Sequence, residues 1–173
     1  MNRFIKRQVG FTIIELMVAL AIASTMMFFA LPAFNDFTTQ RRMTSNVNAL
    51  ISAVSLARSE ATRRGGDVTL QRTDTSDSDN EWGGGFCITV GDPNNCNAPI
   101  RVFDLEGTPT FNAKNDEDLQ DEEGLTFNSR GLLQGGVSGA IDLCGADADD
   151  DPGRRVQINA IGRASVDTFI CFP

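Results

Sequence analysis

The sequence predicts an α+β protein in which one long N-terminal helix precedes an antiparallel β domain. Three observations lead there. An almost wholly apolar run, Phe11 to Phe34, continues into a polar stretch that keeps a helical rhythm as far as Arg64. Gly65-Gly66 then gives a strong stop signal. Beyond it the hydrophobic period falls to two, in short β-branched or aromatic segments divided by Gly, Pro, Asn and Asp. Four regions follow: a basic leader over 1–10, a hydrophobic helix over 11–34, an amphipathic helix half over 35–64 and a β-rich domain over 65–173.

The leader, Met1 to Gly10, carries Arg3, Lys6 and Arg7 and no acid. The positive-inside bias keeps such a segment in the cytoplasm and sends the bulk of the chain across the membrane. The run Phe11–Phe34 is long enough, at about 1.5 Å per helical residue, to span a hydrocarbon core of about 30 Å with some tilt. Glu15 places a carboxylate inside it and Pro32 stands near its far end. A carboxylate in hydrocarbon costs a few kcal/mol (about 3) and is rarely there without a partner. A chain cut between Gly10 and Phe11 would supply one, because the new Phe11 amine lies four residues before Glu15 on the same helix face. Between subunits, Glu15 of an incoming chain could meet the Phe11 amine of its neighbour and set the register of two helices. Pro32 lacks an N–H and clashes with the carbonyl of Phe28, so a kink or local loosening is expected there.

An ordinary secretory signal is the competing reading, since Ala21-Ile22-Ala23 has the A-x-A form of a cleavage site. Glu15 is poor in the apolar part of a signal, and hydrophobicity continues past Ala23 through Met26, Met27, Phe28, Phe29 and Leu31. Both features favour an anchor.

Val47, Leu50, Ile51, Val54, Ala57 or Arg58, and Ala61 follow the i, i+3, i+4, i+7 rhythm of an amphipathic helix. Arg63 and Arg64 complement the dipole of its last turn. Strands are expected near Val68–Gln71, Gly85–Val90, Ile100–Leu105, Leu125–Asn128, Gly131–Leu133, Ala140–Cys144, Arg155–Asn159 and Ala164–Phe172. They should form a domain packed on the second half of the helix.

The chain has no His and no Tyr, and Lys114 is its only Lys after the leader. That removes His-based triads, His-ligated metals and most lysine chemistry, and lowers the expectation of an enzyme. The net charge is −8; without the leader it falls to −11, which opposes nucleic acid at long range unless Arg residues cluster on one face. Cys87, Cys96, Cys144 and Cys171 all lie beyond the apolar run, and no C-x-x-C pair occurs. In an extracytoplasmic domain they read as two disulfides. Of the three pairings, Cys87–Cys96 brackets the turn-rich Gly-Asp-Pro-Asn-Asn, and Cys144–Cys171 would tie one strand end to the C-terminal strand.

Acidic runs at Asp74–Glu81, Asp116–Glu123 and Asp147–Asp151 read as solvated loops. The last begins like a calcium loop, but Pro152 takes the place of the turn Gly and no Glu closes it. Ser129 and Ser138 lie near glycines without forming G-x-S-x-G. No cofactor or metal site is expected.

The segment Gly10-Phe11-Thr12-Ile13-Ile14-Glu15-Leu16 resembles the processing site of type IV prepilins and of the pseudopilins of type II secretion. Ser59-Glu60-Ala61, Arg63-Arg64-Gly65, Val68-Thr69-Leu70, Trp82-Gly83-Gly84-Gly85-Phe86, Phe127-Asn128-Ser129-Arg130-Gly131 and Gly162-Arg163 resemble, in order, the GspH/FimT branch, which includes FimU-like pilins. The resemblance implies the type IV pilin-like fold. It implies a prepilin peptidase that cuts between Gly10 and Phe11 and methylates the Phe11 amine, and a helix able to melt around Pro32 on packing. It also implies a single-pass inner-membrane protein with a periplasmic domain, which later joins other minor and major pilins or pseudopilins in a filament. FimT-like relatives bind DNA through a GRxR loop. Here Gly162-Arg163-Ala164-Ser165 keeps the first Arg only, Asp167 follows, and Arg154 and Arg155 are the other candidates for a basic patch.

Overall fold

The computed structural model describes residues 10–73, 82–91, 96–107, 110–112, 124–136, 138–144 and 152–171, leaving aside the side chains at 29–33, 35–36 and 110–112. The three acidic runs and most of the leader lie outside these residues. The chain divides into two compact units, Met1–Thr39 and Gln40–Pro173. One helix, α1, runs over Ile13–Arg64, and its backbone stays helical through position 32. It starts two residues after Phe11 because Thr12 is its cap. The Glu15 N–H donates to Thr12 Oγ1 at 3.3 Å, and the Leu16 N–H to the Thr12 carbonyl at 3.2 Å.

In the second unit α1 ends where the sequence places the stop. Gly65 adopts φ +66°, and the N–H groups of Gly65 and Gly66 both donate to the Ala61 carbonyl, at 3.0 and 3.3 Å. Arg63 and Arg64 turn back to Glu60. Arg63 Nε donates to Oε1 at 3.0 Å and Arg64 Nε to Oε2 at 2.7 Å. Hydrogen bonds from Arg63, then Arg64, pull the Glu60 carboxyl down from 4.5 to about 2.

Among the described residues eight strands follow: β1 Val68–Arg72, β2 Phe86–Val90, β3 Arg101–Phe103, β4 Thr110–Asn112, β5 Gly124–Phe127, β6 Gly139–Cys144, β7 Pro152–Ile158 and β8 Ala164–Ile170. They form two antiparallel sheets, ordered β3-β2-β1-β5 and β4-β6-β7-β8. Seven expected strands are present with shifted ends. Gly131–Leu133 is not a strand: Gly131 turns at φ +73° and only Leu133 bridges to Phe127, before a short 3-10 turn over Gln134–Gly136. β4 is an addition, since it exists by pairing Thr110–Asn112 with Cys144–Asp142, far away in sequence.

The core gathers one stripe of α1 with both sheets. Met43, Val47, Leu50, Ala53, Val54, Ala57 and Ala61 are buried on the helix. Leu70, Phe86, Ile88, Leu125 and Phe127 meet them from the first sheet, and Ile141, Leu143, Val156 and Ile158 from the second. Trp82 is buried in the same cluster. Three buried alanines let backbone approach closely, whereas Arg58, at the alternative Ala57/Arg58 position, is exposed. Asn46 is the polar member of the stripe. Its Nδ2 donates to the Glu106 carbonyl at 3.1 Å while its Oδ1 accepts from the Glu106 N–H at 3.0 Å, which fixes that loop to the helix.

The disulfides are Cys87–Cys96, with Cα atoms 6.1 Å apart, and Cys144–Cys171, at 6.0 Å. In the chain-entropy account they contribute about 2.5 and 3.5 kcal/mol by shortening the unfolded chain's freedom. Gln71, on β1, donates to both sulfurs of the first at 3.3 Å. The second lies on Gly153, where a methyl group would sit 2.5 Å from Cys171 Sγ, 2.6 Å from Phe169 Cε1 and 2.9 Å from the Leu143 carbonyl.

Gly153→Ala should therefore lower stability by about 2–3 kcal/mol through overpacking. Gly66→Ala, where a methyl group meets nothing within 4 Å, should be near neutral. Thermal melting of the two variants checks this. A second expectation concerns pH. Because the folded-state value of Glu60 lies below its unfolded value, its stabilising contribution is complete above about pH 4.5 and is lost as pH falls toward 2. Melting of Glu60→Gln should fall slightly below that of the parent at neutral pH, the ion pair being solvent-screened, and converge with it near pH 2.

Candidate functional site

Two regions carry the candidate residues. In the first unit every described side chain from Phe11 to Phe28 is exposed. Ile13, Ile14, Leu16, Met17, Val18, Leu20, Ile22, Met26 and Met27 are each more than half accessible, and Phe11 reaches 83%. Their spacing leaves no polar face. The hydroxyls in the run are satisfied by the helix itself: Ser24 donates to the Ala21 carbonyl at 2.9 Å, and Thr25 to those of Ala21 and Ile22 at 3.0 and 2.8 Å. A helix apolar on all sides needs an apolar environment on all sides. Among the described residues no helix is long and apolar enough to cross a membrane.

Thr12 and Glu15 form the start of a capping box, T-x-x-E, a local signal overlooked in reading Glu15 only as an intramembrane charge. Glu15 thus sits in the first turn, where the helix dipole favours a negative group. Its carboxylate is exposed and no described side chain bonds it. Gly10 is exposed too, and a methyl group there would meet nothing within 4 Å. Pro32 falls among the side chains left aside.

In the second unit the segments Asn128–Gly131 and Asn159–Gly162 form the same Asn-x-x-Gly turn. In each, the Gly N–H donates to the Asn carbonyl, at 2.8 Å for Gly131 and 2.7 Å for Gly162. In each, the Asn Oδ1 accepts from a backbone N–H beyond: Leu132 at 3.2 Å (with Arg130 at 2.9 Å) and Arg163 at 2.9 Å. The glycines have φ of +73° and +72°, in the left-handed region. Gly162 lies over the Phe127 ring, 2.7 Å from where its Cβ would be, and the Leu133 N–H reaches the Ala160 carbonyl at 3.4 Å. The turns are thereby locked together.

The three candidate arginines do not form one patch. Arg155 Nε and Nη2 donate to Asp142 Oδ1 and Oδ2, each at 2.6 Å, and its guanidinium lies 4.9 Å from the Phe169 ring centre. Arg154, its neighbour on β7, projects to the opposite side of the sheet. Arg163 stands apart at the β7–β8 turn, exposed and without a carboxylate partner among the described residues. No group of His, Cys, Asp and Glu among the described residues is placed to hold a metal ion.

The family model for Type II transport protein GspH matches residues 46–162, and that for the prokaryotic N-terminal methylation motif matches residues 5–31. Two crystal structures of the type IV minor pilin FimU from Pseudomonas aeruginosa are similar to this chain at 27% identity. One gives a TM-score of 0.58 over 72% of this chain and 91% of that one; the other gives 0.61 over 76% and 92%. Their fold, a helix packed on antiparallel sheets, is the one described above. With the GspH match covering most of the chain and the methylation motif standing before it, the protein belongs to the GspH family and is a minor type IV pilin or pseudopilin of the GspH/FimU kind.

Proposed function

We propose that the chain is a minor pilin that primes assembly of a type IV pilus and takes a place at or near its tip. The observation that carries this is the exposed, all-round apolar helix that starts just after the Gly10-Phe11 junction, at Ile13, and bears Glu15 in its first turn. The leader stays in the cytoplasm, the segment 11–34 waits in the inner membrane, and 65–173 faces the periplasm, where two disulfides can persist. A prepilin peptidase cuts after Gly10 and methylates the Phe11 amine. Nothing described around Gly10 requires a glycine, so the requirement is assigned to the enzyme that reads it. Glu15, already lodged at a helix N-terminus, then meets the positive Phe11 amine of a neighbouring pilin as helices leave the lipid. Pro32 supplies a soft point in the helix backbone during that transfer. The chain does this as a structural and assembly component rather than as an enzyme.

The description of the matched family favours a second reading, an H-type minor pseudopilin acting in type II secretion. Deleting the gene separates the two: loss of surface pili supports the first, and loss of exported protein with pili intact supports the second. DNA uptake is the weaker alternative, because Asp142 occupies Arg155 and Ser165 stands where a second loop Arg would be.

Glu15→Ala should cut assembled filaments at least about tenfold while leaving the protein's membrane level unchanged; one lost charge pair in an apolar setting is worth that much or more. Filament yield after shearing, set against immunoblots of membranes, measures it, and unchanged filaments would remove Glu15 from the mechanism. The mature chain should begin at N-methylated Phe11 by mass spectrometry. A start at Ser24 would instead identify a cleaved secretory signal.

A further inference from the structure

Beside the Asn-x-x-Gly turns runs a groove of about 610 Å³ between α1 and the start of β8. Ser55, Arg58, Ser59 and Thr62 face it from the helix, and Arg163 and Ala164 from the β7–β8 turn. The helix positions fall at spacings of three and four, so they form one stripe. Arg63 also borders the groove, but its guanidinium turns to Glu60. Arg58 and Arg163 are left with no carboxylate partner among the described residues, on a chain of net charge −8.

The Arg58 stem and the Arg163 backbone are both fixed in place. Arg58 lies along the Asn128–Gly131 turn, its Cγ and Nε 3.1 and 3.2 Å from where a Gly131 Cβ would be, so only glycine there gives its stem room. The backbone of Arg163 is clamped from both sides by Asn159, which accepts its N–H at 2.9 Å and donates to its carbonyl at 3.1 Å. Fixing the stem and the backbone in advance lowers the entropy lost when a ligand is bound. The guanidinium fork matches a carboxylate, as the Asp142–Arg155 pair shows within this molecule.

We infer that this groove docks a carboxylate-bearing loop of a neighbouring pilin subunit, with Arg58 and Arg163 as the contacts; the occupant rests on the pilin reading above. An acidic loop suits the groove better than nucleic acid. DNA brings one charge per about 1.7 Å along its axis, so its repulsion by an acidic domain grows with length while two guanidiniums neutralise only about two phosphates. A short loop brings few charges, and those beyond about 8 Å are screened.

The test has two arms. In the first, the full-length protein in neutral detergent is titrated at low salt with a fluorescein-labelled hexaglutamate peptide and, separately, with duplex DNA of about 20 base pairs. The peptide should bind, Arg58→Gln and Arg163→Gln should each weaken it about tenfold, and Arg154→Gln should leave it unchanged, with melting curves equal throughout. Peptide affinity insensitive to both groove variants overturns the inference, as does tighter binding of DNA that those variants abolish. In the second arm, a photo-crosslinker is placed in cells at Ser59 and, for reference, at Met17. Crosslinks from Ser59 to an acidic segment of another pilin, lost in Arg58→Gln and Arg163→Gln, support the inference. Crosslinks to pilins from Met17 with none from Ser59 overturn the groove and leave the pilin reading standing. Absence of pilin crosslinks from Met17 overturns the pilin reading and this occupant with it, while the peptide titration still judges the chemistry of the groove.

Discussion

The organising constraint is an apolar helix surface with no polar side to give to water. Between Phe11 and Phe28 the apolar side chains point in every direction around the axis and remain exposed. At about 25 cal/mol per Å² of apolar surface, covering even part of it outweighs the whole stability of an ordinary domain. Such a segment is therefore intelligible only through what surrounds it. The rest of the chain answers to that requirement. Hydroxyls within the segment bond back to the helix, and the one carboxylate sits in the first turn, where the dipole offsets part of its cost.

The second half of α1 obeys the opposite rule. One stripe is buried against two sheets and the remainder is polar. The buried alanines and the Asn46 clamp on Glu106 let β strands and loops come close to the helix axis. A domain of this size gains from covalent help, and the disulfides supply it at the strands. Cys87–Cys96 backs the first sheet at Gln71, and Cys144–Cys171 closes the second beside Gly153.

Much of this was legible from local pattern. The helix was visible because its period and its Gly-Gly stop are local, and the Cys87–Cys96 pair because it brackets a turn. What escaped detection depends on partners remote in sequence. Thr110–Asn112 is too short to announce a strand and becomes one only against β6. Gly131-Leu132-Leu133 has strand-like composition, but Asn128 folds it into a turn by accepting two N–H groups. Arg155 looked like half of a basic patch until the register of β6 and β7 put Asp142 directly opposite. The net charge of −8 hid the reverse case, since an average over the chain says nothing of a groove where two arginines lack acidic partners among the described residues. The repeated Asn-x-x-Gly wording was the one available clue to it.

On the proposed reading, these features divide affinity from selectivity. Hydrophobic contact is non-directional and scales with area, so apolar helices from different pilins are nearly interchangeable partners. A low-abundance subunit that occupies one place in a filament needs a term that distinguishes neighbours. Charged groups serve that purpose better than more apolar area, because a wrong neighbour leaves them unpaired and is penalised, whereas an apolar mismatch is only less favourable. Glu15 acts at the level of the helix and is limited to finding an amine at a helix start. The Arg58–Arg163 groove lies on the folded domain, and its paired charges are where recognition of a particular neighbour would reside.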